Sequence, residues 1–266
     1  MSDPQPQFLN VGTGPEKRRI AYLCEAGSPS KPGLIWLCGL KSVMTSTKAT
    51  ALAAWCKNRN LSCMRFDYSG HGLSGGNFEE GTISRWLEEA LAAFRLTQGP
   101  QVLVGSSMGG YLALLLLRSL MAHQPDEAER VKGLVLIAPA WNVSELIWQN
   151  LPESGRKQIL DAGTYLRPSH YGDGPYPITR ALIEDGRAHL LDAEPFDPGR
   201  PIQILHGLLD PDVPWEHTLD LVAHLSGDWV RVVAVPDGEH RLSRPEDIAL
   251  LLDIVGEMVE RTAKPA

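Results

Sequence analysis

Ser107 lies where a strand-like run meets a helix-like run. The apolar residues 101–104 (QVLV) lead directly into GSSMGG, and a leucine-rich run follows at once. A G-x-S-x-G pattern between a strand and a helix is typical of a nucleophile elbow, in which a tight bend exposes the serine hydroxyl. A larger side chain at Gly105 or Gly109 would collide with neighbouring chain at such a bend. We therefore predict that Ser107 is a nucleophile.

A second G-x-S-x-G pattern surrounds Ser74 in GLSGG, and the pattern alone is a weak signal. Ser74 is followed by GGNFEEGT, which has the composition of a loop rather than a helix. The overlapping residues 70–75 (GHGLSG) also match the glycine pattern of dinucleotide-binding proteins. That pattern should open a helix at once, whereas the next predicted helix begins only near residue 82. We therefore favour Ser107 as the nucleophile and predict no nucleotide site.

A serine hydroxyl needs an imidazole base, and the base needs a carboxylate that orients it. After a nucleophile elbow the chain order is serine, acid, histidine. His240 follows the last strand-like run in PDGEHRLS, and Asp210 follows the run IQIL in HGLLDPD. Asp212 is the alternative acid, and Glu239 is the neighbour of the histidine. We predict that His240 is the base and that Asp210 orients it.

Attack on an acyl carbonyl creates a negative oxygen, which two N–H donors must stabilise. One candidate is the backbone N–H of Met108, at the start of the helix after the nucleophile. The other is Leu40, in the loop LCGLKS after the third strand, where Gly39 allows the backbone to approach closely. This set of residues needs no metal and no cofactor.

Strand-like and helix-like runs alternate along most of the chain, which is typical of a mostly parallel sheet with helices on both faces. Since ligands bind at the carboxyl ends of parallel strands, the loops that carry the candidate residues should meet there. The predicted strands are residues 7–11, 19–24, 34–38, 62–67, 101–104, 133–137, 202–205 and 230–235, and the predicted helices are 47–58, 82–97, 108–122, 214–224 and 245–261.

The segment 141–198 breaks this alternation and carries several aromatic residues. A long break between two strands predicts a helical insert, a lid, over the strand ends. We expect it to form the acyl pocket, with Trp148 and Tyr171 in contact with substrate. The whole chain, residues 1–266, is then one domain that carries this insert.

Composition limits the possible partners and the location. The formal charge of −7 argues against binding to nucleic acid or to an anionic membrane. The cysteines lack metal-binding spacing, and we expect them to be reduced: they are Cys24, Cys38, Cys56 and Cys63. The longest apolar run, residues 111–117, is too short for a membrane span. The amino terminus resembles neither a secretory signal nor a mitochondrial presequence, so we predict a cytoplasmic protein.

The motifs together resemble the serine hydrolases of the α/β-hydrolase superfamily, and the resemblance covers nearly the whole chain. They are GSSMGG, FDYSGHGLSGG, HGLLDPDVPW and GEHRLS. Within that superfamily, GLKSVMTSTKA, VLVGSS and PSHY are similar to palmitoyl-protein thioesterases that also cleave acyl glucuronides.

The resemblance implies the α/β-hydrolase fold and a cofactor-free serine hydrolase. It implies Ser107, Asp210 and His240 as the catalytic triad and Leu40 with Met108 as the oxyanion hole. Its substrates would be small acyl esters or thioesters, with an acylated protein or an acyl glucuronide as the particular candidates. Two alternatives stay open: another reaction on the same fold, such as peptide or carbon–carbon bond hydrolysis, and a binding protein without catalysis.

Overall fold

The computed structural model describes residues 5–169, 174–191, 194–227 and 229–263. Its strands are β1 (Gln7–Val11), β2 (Arg18–Glu25), β3 (Gly33–Leu37), β4 (Cys63–Phe66), β5 (Gln101–Ser106), β6 (Val131–Ile137), β7 (Thr164–Arg167), β8 (Tyr176–Thr179), β9 (Ile202–Gly207) and β10 (Val230–Val235). Its helices are α1 (Thr47–Asn58), α2 (Ile83–Arg95), α3 (Met108–His123), α4 (Pro125–Ala128), α5 (Val143–Asn150), α6 (Glu153–Ala162), α7 (Arg180–Arg187), α8 (Trp215–His224) and α9 (Pro245–Ala263).

Eight strands form one sheet in the order β1-β2-β4-β3-β5-β6-β9-β10. β1 pairs antiparallel with β2, and β2 pairs antiparallel with β4. The remaining neighbours of this sheet pair in parallel: β4 with β3, β3 with β5, β5 with β6, β6 with β9, and β9 with β10. Helices flank the sheet. The predicted mostly parallel sheet is confirmed.

The centre of the sheet is buried on both faces, which explains why its strands are almost continuously apolar. Every residue of β3, β5 and β9 is buried. Helix α3 packs against β5, and its leucine-rich run 111–117 is buried in the core. No helix in the described part of the chain has the length and apolarity that crossing a bilayer requires.

The segment between β6 and β9 contains strands as well as the helices expected there. It comprises α5, α6 and α7 together with β7 and β8, which pair antiparallel. The expectation of a purely helical insert is therefore incomplete. These strands have four residues each and pair only with each other, so the sequence gives too little alternation to predict them.

Parallel pairing places the loops after β3, β5, β9 and β10 at the same edge of the sheet. These four loops carry Leu40, Ser107, Asp210 and His240 respectively. The fold thus brings together residues that are far apart in the sequence.

Candidate active site

Ser107 lies on a strained bend between β5 and α3. Its backbone has φ 55° and ψ −121°, a conformation that non-glycine residues rarely adopt. A Cβ at Gly105 would lie 2.3 Å from the carbonyl oxygen of Gly109, and one at Gly109 would lie 2.1 Å from that of Leu37. The bend therefore requires glycine at both positions. Strain of this kind costs about 1–3 kcal/mol and is often found at functional sites.

Ser107, His240 and Asp210 form a continuous hydrogen-bonded chain. The Nε2 atom of His240 lies 3.1 Å from Ser107 Oγ, and its Nδ1 atom lies 2.7 Å from Asp210 Oδ2. Because an ionised carboxylate only accepts hydrogen bonds, Nδ1 carries the proton and Nε2 is left to accept from the serine hydroxyl. This is the arrangement that general-base activation of a serine needs.

The loop after β9 fixes the carboxylate of Asp210. The second oxygen of Asp210 accepts hydrogen bonds from the backbone N–H groups of Asp212 (2.8 Å) and Val213 (2.9 Å), and the side chain is fully buried. The carboxylate of Asp212 instead lies 3.5 Å from the guanidinium of Arg167. The hydrogen bond to Nδ1 of His240 is thus made by Asp210.

Leu40 lines the same cavity as Ser107, and Met108 directly follows Ser107 in the chain. Met108 is the first residue of α3, where the helix dipole adds positive potential. The loop after β3 approaches so closely that a Cβ at Gly39 would lie 3.4 Å from Ser107 Cβ. Within the described residues neither the backbone N–H of Leu40 nor that of Met108 donates to a protein acceptor. Both remain available to a substrate oxygen.

Ser107 and His240 line a cavity of about 410 Å³. Helix α5 contributes Val143, Leu146 and Ile147 to the cavity wall, as three- and four-residue spacing on one helix face predicts. These aliphatic side chains give the cavity an apolar wall.

The structure does not bring Trp148 to this cavity. Each helical residue is turned by about 100° from the one before it. Leu146 and Ile147 therefore lie on either side of Val143, whereas Trp148 is turned about 140° away from Val143. Its ring instead lies 5.4 Å from the guanidinium carbon of Arg187. Tyr171, the other residue predicted to contact substrate, lies outside the described residues.

The lining of the cavity carries an excess of basic side chains. Four basic side chains line it: Lys41, Lys48, Arg167 and Arg241. Among the described residues in the lining, Asp212 is the single acidic one. The excess stands out because the whole chain has a formal charge of −7. A negatively charged group on a substrate would be attracted to these basic side chains.

Lys48, on the first turn of α1, was not predicted from the sequence. Its Nζ donates to the backbone oxygen of Arg241 and lies 3.4 Å from Ser243 Oγ. Burial and the neighbouring Arg241 lower the pKa of Lys48 to about 8. Lys48 thus connects α1 to the loop that carries His240. A lysine in an alanine-rich helix gives no sequence signal for such a contact.

Asp210, Asp212 and His240 have potential metal-ligand atoms within 4.8 Å of one another. However, the Asp210 carboxylate already accepts three hydrogen bonds, one of them from His240. A metal ion would have to displace these contacts. The donor set therefore fits a hydrogen-bonded acid–histidine pair better than a metal centre.

Comparison with known proteins agrees with the fold. A model of the hydrolase family described as serine aminopeptidase, S33, matches residues 39–171. The chain belongs to the α/β-hydrolase family of serine hydrolases. It is a hydrolase that acts on esters or thioesters. This excludes the alternative of a binding protein without catalysis.

Particular relatives cover almost the whole chain. Human palmitoyl-protein thioesterase ABHD10, mitochondrial, is 33% identical over 256 residues, which are 96% of this chain and 80% of that protein. The solved structure of mouse α/β-hydrolase domain-containing protein 10 superposes with a TM-score of 0.84 at 32% identity, covering 97% of this chain and 99% of that one. A protein from Agrobacterium vitis S4 superposes with a TM-score of 0.92 at 43% identity, covering 97% and 100%.

These relatives contradict the predicted cytoplasmic location. The palmitoyl-protein thioesterases of human, cattle and orangutan are named as mitochondrial proteins. The prediction depended on the composition of the first residues and on the short length of the longest apolar run. The predicted cytoplasmic location is wrong by this comparison.

Proposed function

We propose that the protein hydrolyses fatty acyl thioesters or esters through a covalent acyl-enzyme formed on Ser107. The observation that carries this proposal is the hydrogen-bonded chain from Ser107 Oγ through the ring of His240 to the buried carboxylate of Asp210. Similarity to palmitoyl-protein thioesterases supports the fatty acyl group and makes an acylated protein a candidate substrate.

In the first half of the reaction, Ser107 Oγ attacks the acyl carbonyl carbon while His240 Nε2 takes the hydroxyl proton. Asp210 stabilises the imidazolium that forms. The carbonyl oxygen becomes negative and accepts hydrogen bonds from the N–H groups of Leu40 and Met108. Collapse of this intermediate breaks the bond to the leaving group, and His240 gives its proton to the departing thiolate or alkoxide.

In the second half, a water molecule replaces the leaving group. His240 takes a proton from the water as its oxygen attacks the acyl carbon bonded to Ser107. A second oxyanion forms in the same position between Leu40 and Met108. The bond to Ser107 Oγ then breaks, the serine regains its proton from His240, and the free acid leaves.

We further propose that the segment 141–198 is a lid whose α5 face receives the acyl chain. The apolar wall of Val143, Leu146 and Ile147 beside Ser107 supports this assignment. A buried methylene contributes about 0.8 kcal/mol, so a long chain along this wall gains substantially over acetate.

Leu146→Ala tests the acyl wall, and Trp148→Ala is its matched control on the same helix. We expect Leu146→Ala to lower kcat/KM for long-chain p-nitrophenyl esters by about 10-fold through lost apolar contact, and to leave the acetyl ester nearly unchanged. Trp148→Ala should preserve the chain-length profile. Equal losses of Leu146→Ala on all chain lengths would show that α5 does not bind the acyl chain.

A second candidate substrate, an acyl glucuronide, is favoured by the basic residues that line the cavity. Its leaving sugar carries a carboxylate, and Lys41, Arg167 and Arg241 line the cavity that contains Ser107. Lys41 is exposed and lies between the rings of Phe78 and Tyr176, 5.7 Å and 5.8 Å from their centroids. A sugar carboxylate at the mouth of the cavity would meet this charge.

Comparing an acyl glucuronide with the glucose ester of the same acid isolates that carboxylate. We expect the wild-type protein to prefer the glucuronide, and Lys41→Gln to reduce the preference by about 5-fold, with the preference also falling as salt is added. The control is Lys157→Gln, which removes an exposed charge from α6. No preference for the glucuronide in the wild-type protein would argue against this substrate and leave the thioesterase proposal intact.

A further inference from the structure

The segment 67–77, which carries the second G-x-S-x-G pattern, forms a loop that contacts the loop after β3. Ser74 Oγ donates to the backbone oxygen of Asp67 (2.7 Å) and accepts from the N–H of Ala21 (2.8 Å). The Asp67 carboxylate accepts from Leu73 N–H (2.9 Å) within the loop and from Met44 N–H (2.6 Å) outside it. Ser74 thus stabilises the segment 67–77, and Asp67 connects this segment to the loop after β3.

His71 connects this segment to Lys41, the residue that follows Leu40. Its Nε2 accepts a hydrogen bond from the backbone N–H of Lys41 at 3.1 Å. Its Nδ1 lies 3.1 Å from the backbone oxygen of Ser69, which can only accept, so Nδ1 carries the proton. The ring therefore spans from its own loop to the residue directly after Leu40.

The ring of His71 is buried and remains neutral. It makes edge contacts with Tyr68, Phe78 and Trp86, at centroid distances of 6.0, 5.2 and 5.5 Å. Burial, together with the charge of Lys41, lowers the pKa of His71 to about 4. Nε2 is thus an acceptor at neutral pH, whereas a protonated ring would have no acceptor for Lys41.

The contact between His71 and Lys41 is made within the turn that contains Leu40. Lys41 has a positive φ of 59°, and Ser42 N–H donates to Gly39 oxygen at 3.1 Å, which closes a turn over Leu40. Such a backbone is costly for a lysine and persists only when its surroundings fix it. The N–H of Leu40 belongs to the Gly39–Leu40 peptide, whose carbonyl oxygen accepts the bond from Ser42 that closes the turn. The bond from Lys41 N–H to His71 holds the next peptide of the same turn, so it acts on the Leu40 N–H through the turn.

We propose that His71 is a positioning residue that aims the backbone N–H of Leu40 at the oxyanion. This inference rests on the proposed function, in which Leu40 stabilises that oxygen. His71 does not line the cavity that contains Ser107, and it acts through the loop after β3. Losing its acceptor should weaken transition-state binding more than substrate binding.

Asparagine and glutamine at position 71 separate the two bonds of the ring. His71→Asn keeps an amide near the position of Nδ1 and can still donate to Ser69, but it is too short to reach Lys41. His71→Gln places an amide oxygen near the position of Nε2 and can accept from Lys41. Both are polar, and at least one half of the support survives in each.

The measurements are kcat and KM for one ester and the inhibition constant Ki of the trifluoromethyl ketone with the same acyl chain. The ketone forms a hemiketal on the serine whose negative oxygen occupies the oxyanion hole. We expect His71→Asn to lower kcat by about 10- to 100-fold with little change in KM, because a removed oxyanion donor costs about 100- to 1,000-fold. The Ki should rise by the factor by which kcat/KM falls, and His71→Gln should recover most of both.

Ser74→Ala is the control, because it weakens the same loop without removing the bond to Lys41. A kcat and Ki unchanged in His71→Asn, or a loss in Ser74→Ala as large as in His71→Asn, would overturn the role of His71. So would a failure of His71→Gln to recover activity. Ser107→Ala is assayed alongside. If Ser107→Ala retains full activity, the proposed function itself fails. If Ser107→Ala is inactive and His71→Asn is unaffected, only the role of His71 fails.

Discussion

Replacing Ser107 with alanine is expected to lower kcat by about three orders of magnitude or more, because no acyl-enzyme can then form. The matched control is Ser74→Ala, since Ser74 has the same local sequence pattern. Ser74 Oγ is hydrogen-bonded to Asp67 and Ala21, whereas Ser107 Oγ lies 3.1 Å from Nε2 of His240. Ser74→Ala should therefore retain most of its kcat and lose about 1 kcal/mol of unfolding free energy from the broken hydrogen bonds.

Steady-state kinetics and denaturant unfolding of the two variants separate the effects. We expect a large loss of turnover with little loss of stability in Ser107→Ala. Alanine keeps the same backbone conformation, and the contact that is lost is the hydrogen bond between Ser107 Oγ and His240. Similar losses of kcat in both variants would mean that the strand–bend–helix context does not identify the nucleophile.

The second large effect is expected from Asp210→Asn, which should reduce kcat by about three to four orders of magnitude while leaving KM within a few-fold. An amide at this position can donate to Nδ1 of His240, and the ring proton then lies on Nε2. A protonated Nε2 cannot accept the hydroxyl proton of Ser107. Asp212→Asn is the matched control two residues away, because its carboxylate faces Arg167 instead. It should retain most of the activity.

His240→Ala completes this comparison. It should lose about as much activity as Ser107→Ala, and the double variant should lose no more than either, because residues of a triad act as a unit. If Asp212→Asn is the more damaging substitution, or if the losses of Ser107→Ala and His240→Ala multiply in the double variant, the assignment of the triad is wrong.

The chemistry of the site was predictable because the fold relates sequence position to space. In a parallel sheet, residues that follow different strands meet at one edge, so the order of Ser107, Asp210 and His240 along the chain was informative. The choice of Asp210 over Asp212 also came from the distance past the strand. The boundaries of β1, α1 and β10 agree with the predicted ones residue by residue.

Other features depend on contacts that no local pattern encodes. Lys48 and His71 support the site through backbone atoms of distant loops, and backbone partners leave no trace in the sequence. Trp148 was chosen for its type, but the rotation of α5 turns Leu146 and Ile147 to the cavity instead. The sequence predicts neither a nucleophile nor a nucleotide site in the segment 67–77, and the contacts of this segment with the loop after β3 became visible only in the structure.

Labelling with a fluorophosphonate tests most directly whether Ser107 Oγ is the nucleophile that forms the covalent acyl-enzyme. The protein is labelled and digested, and the modified peptide is identified by mass spectrometry in the wild-type, Ser107→Ala and Ser74→Ala proteins. We predict a single adduct on the peptide that contains Ser107, absent from Ser107→Ala and undiminished in Ser74→Ala. Labelling that persists in Ser107→Ala, or that moves to the peptide containing Ser74, would contradict the account.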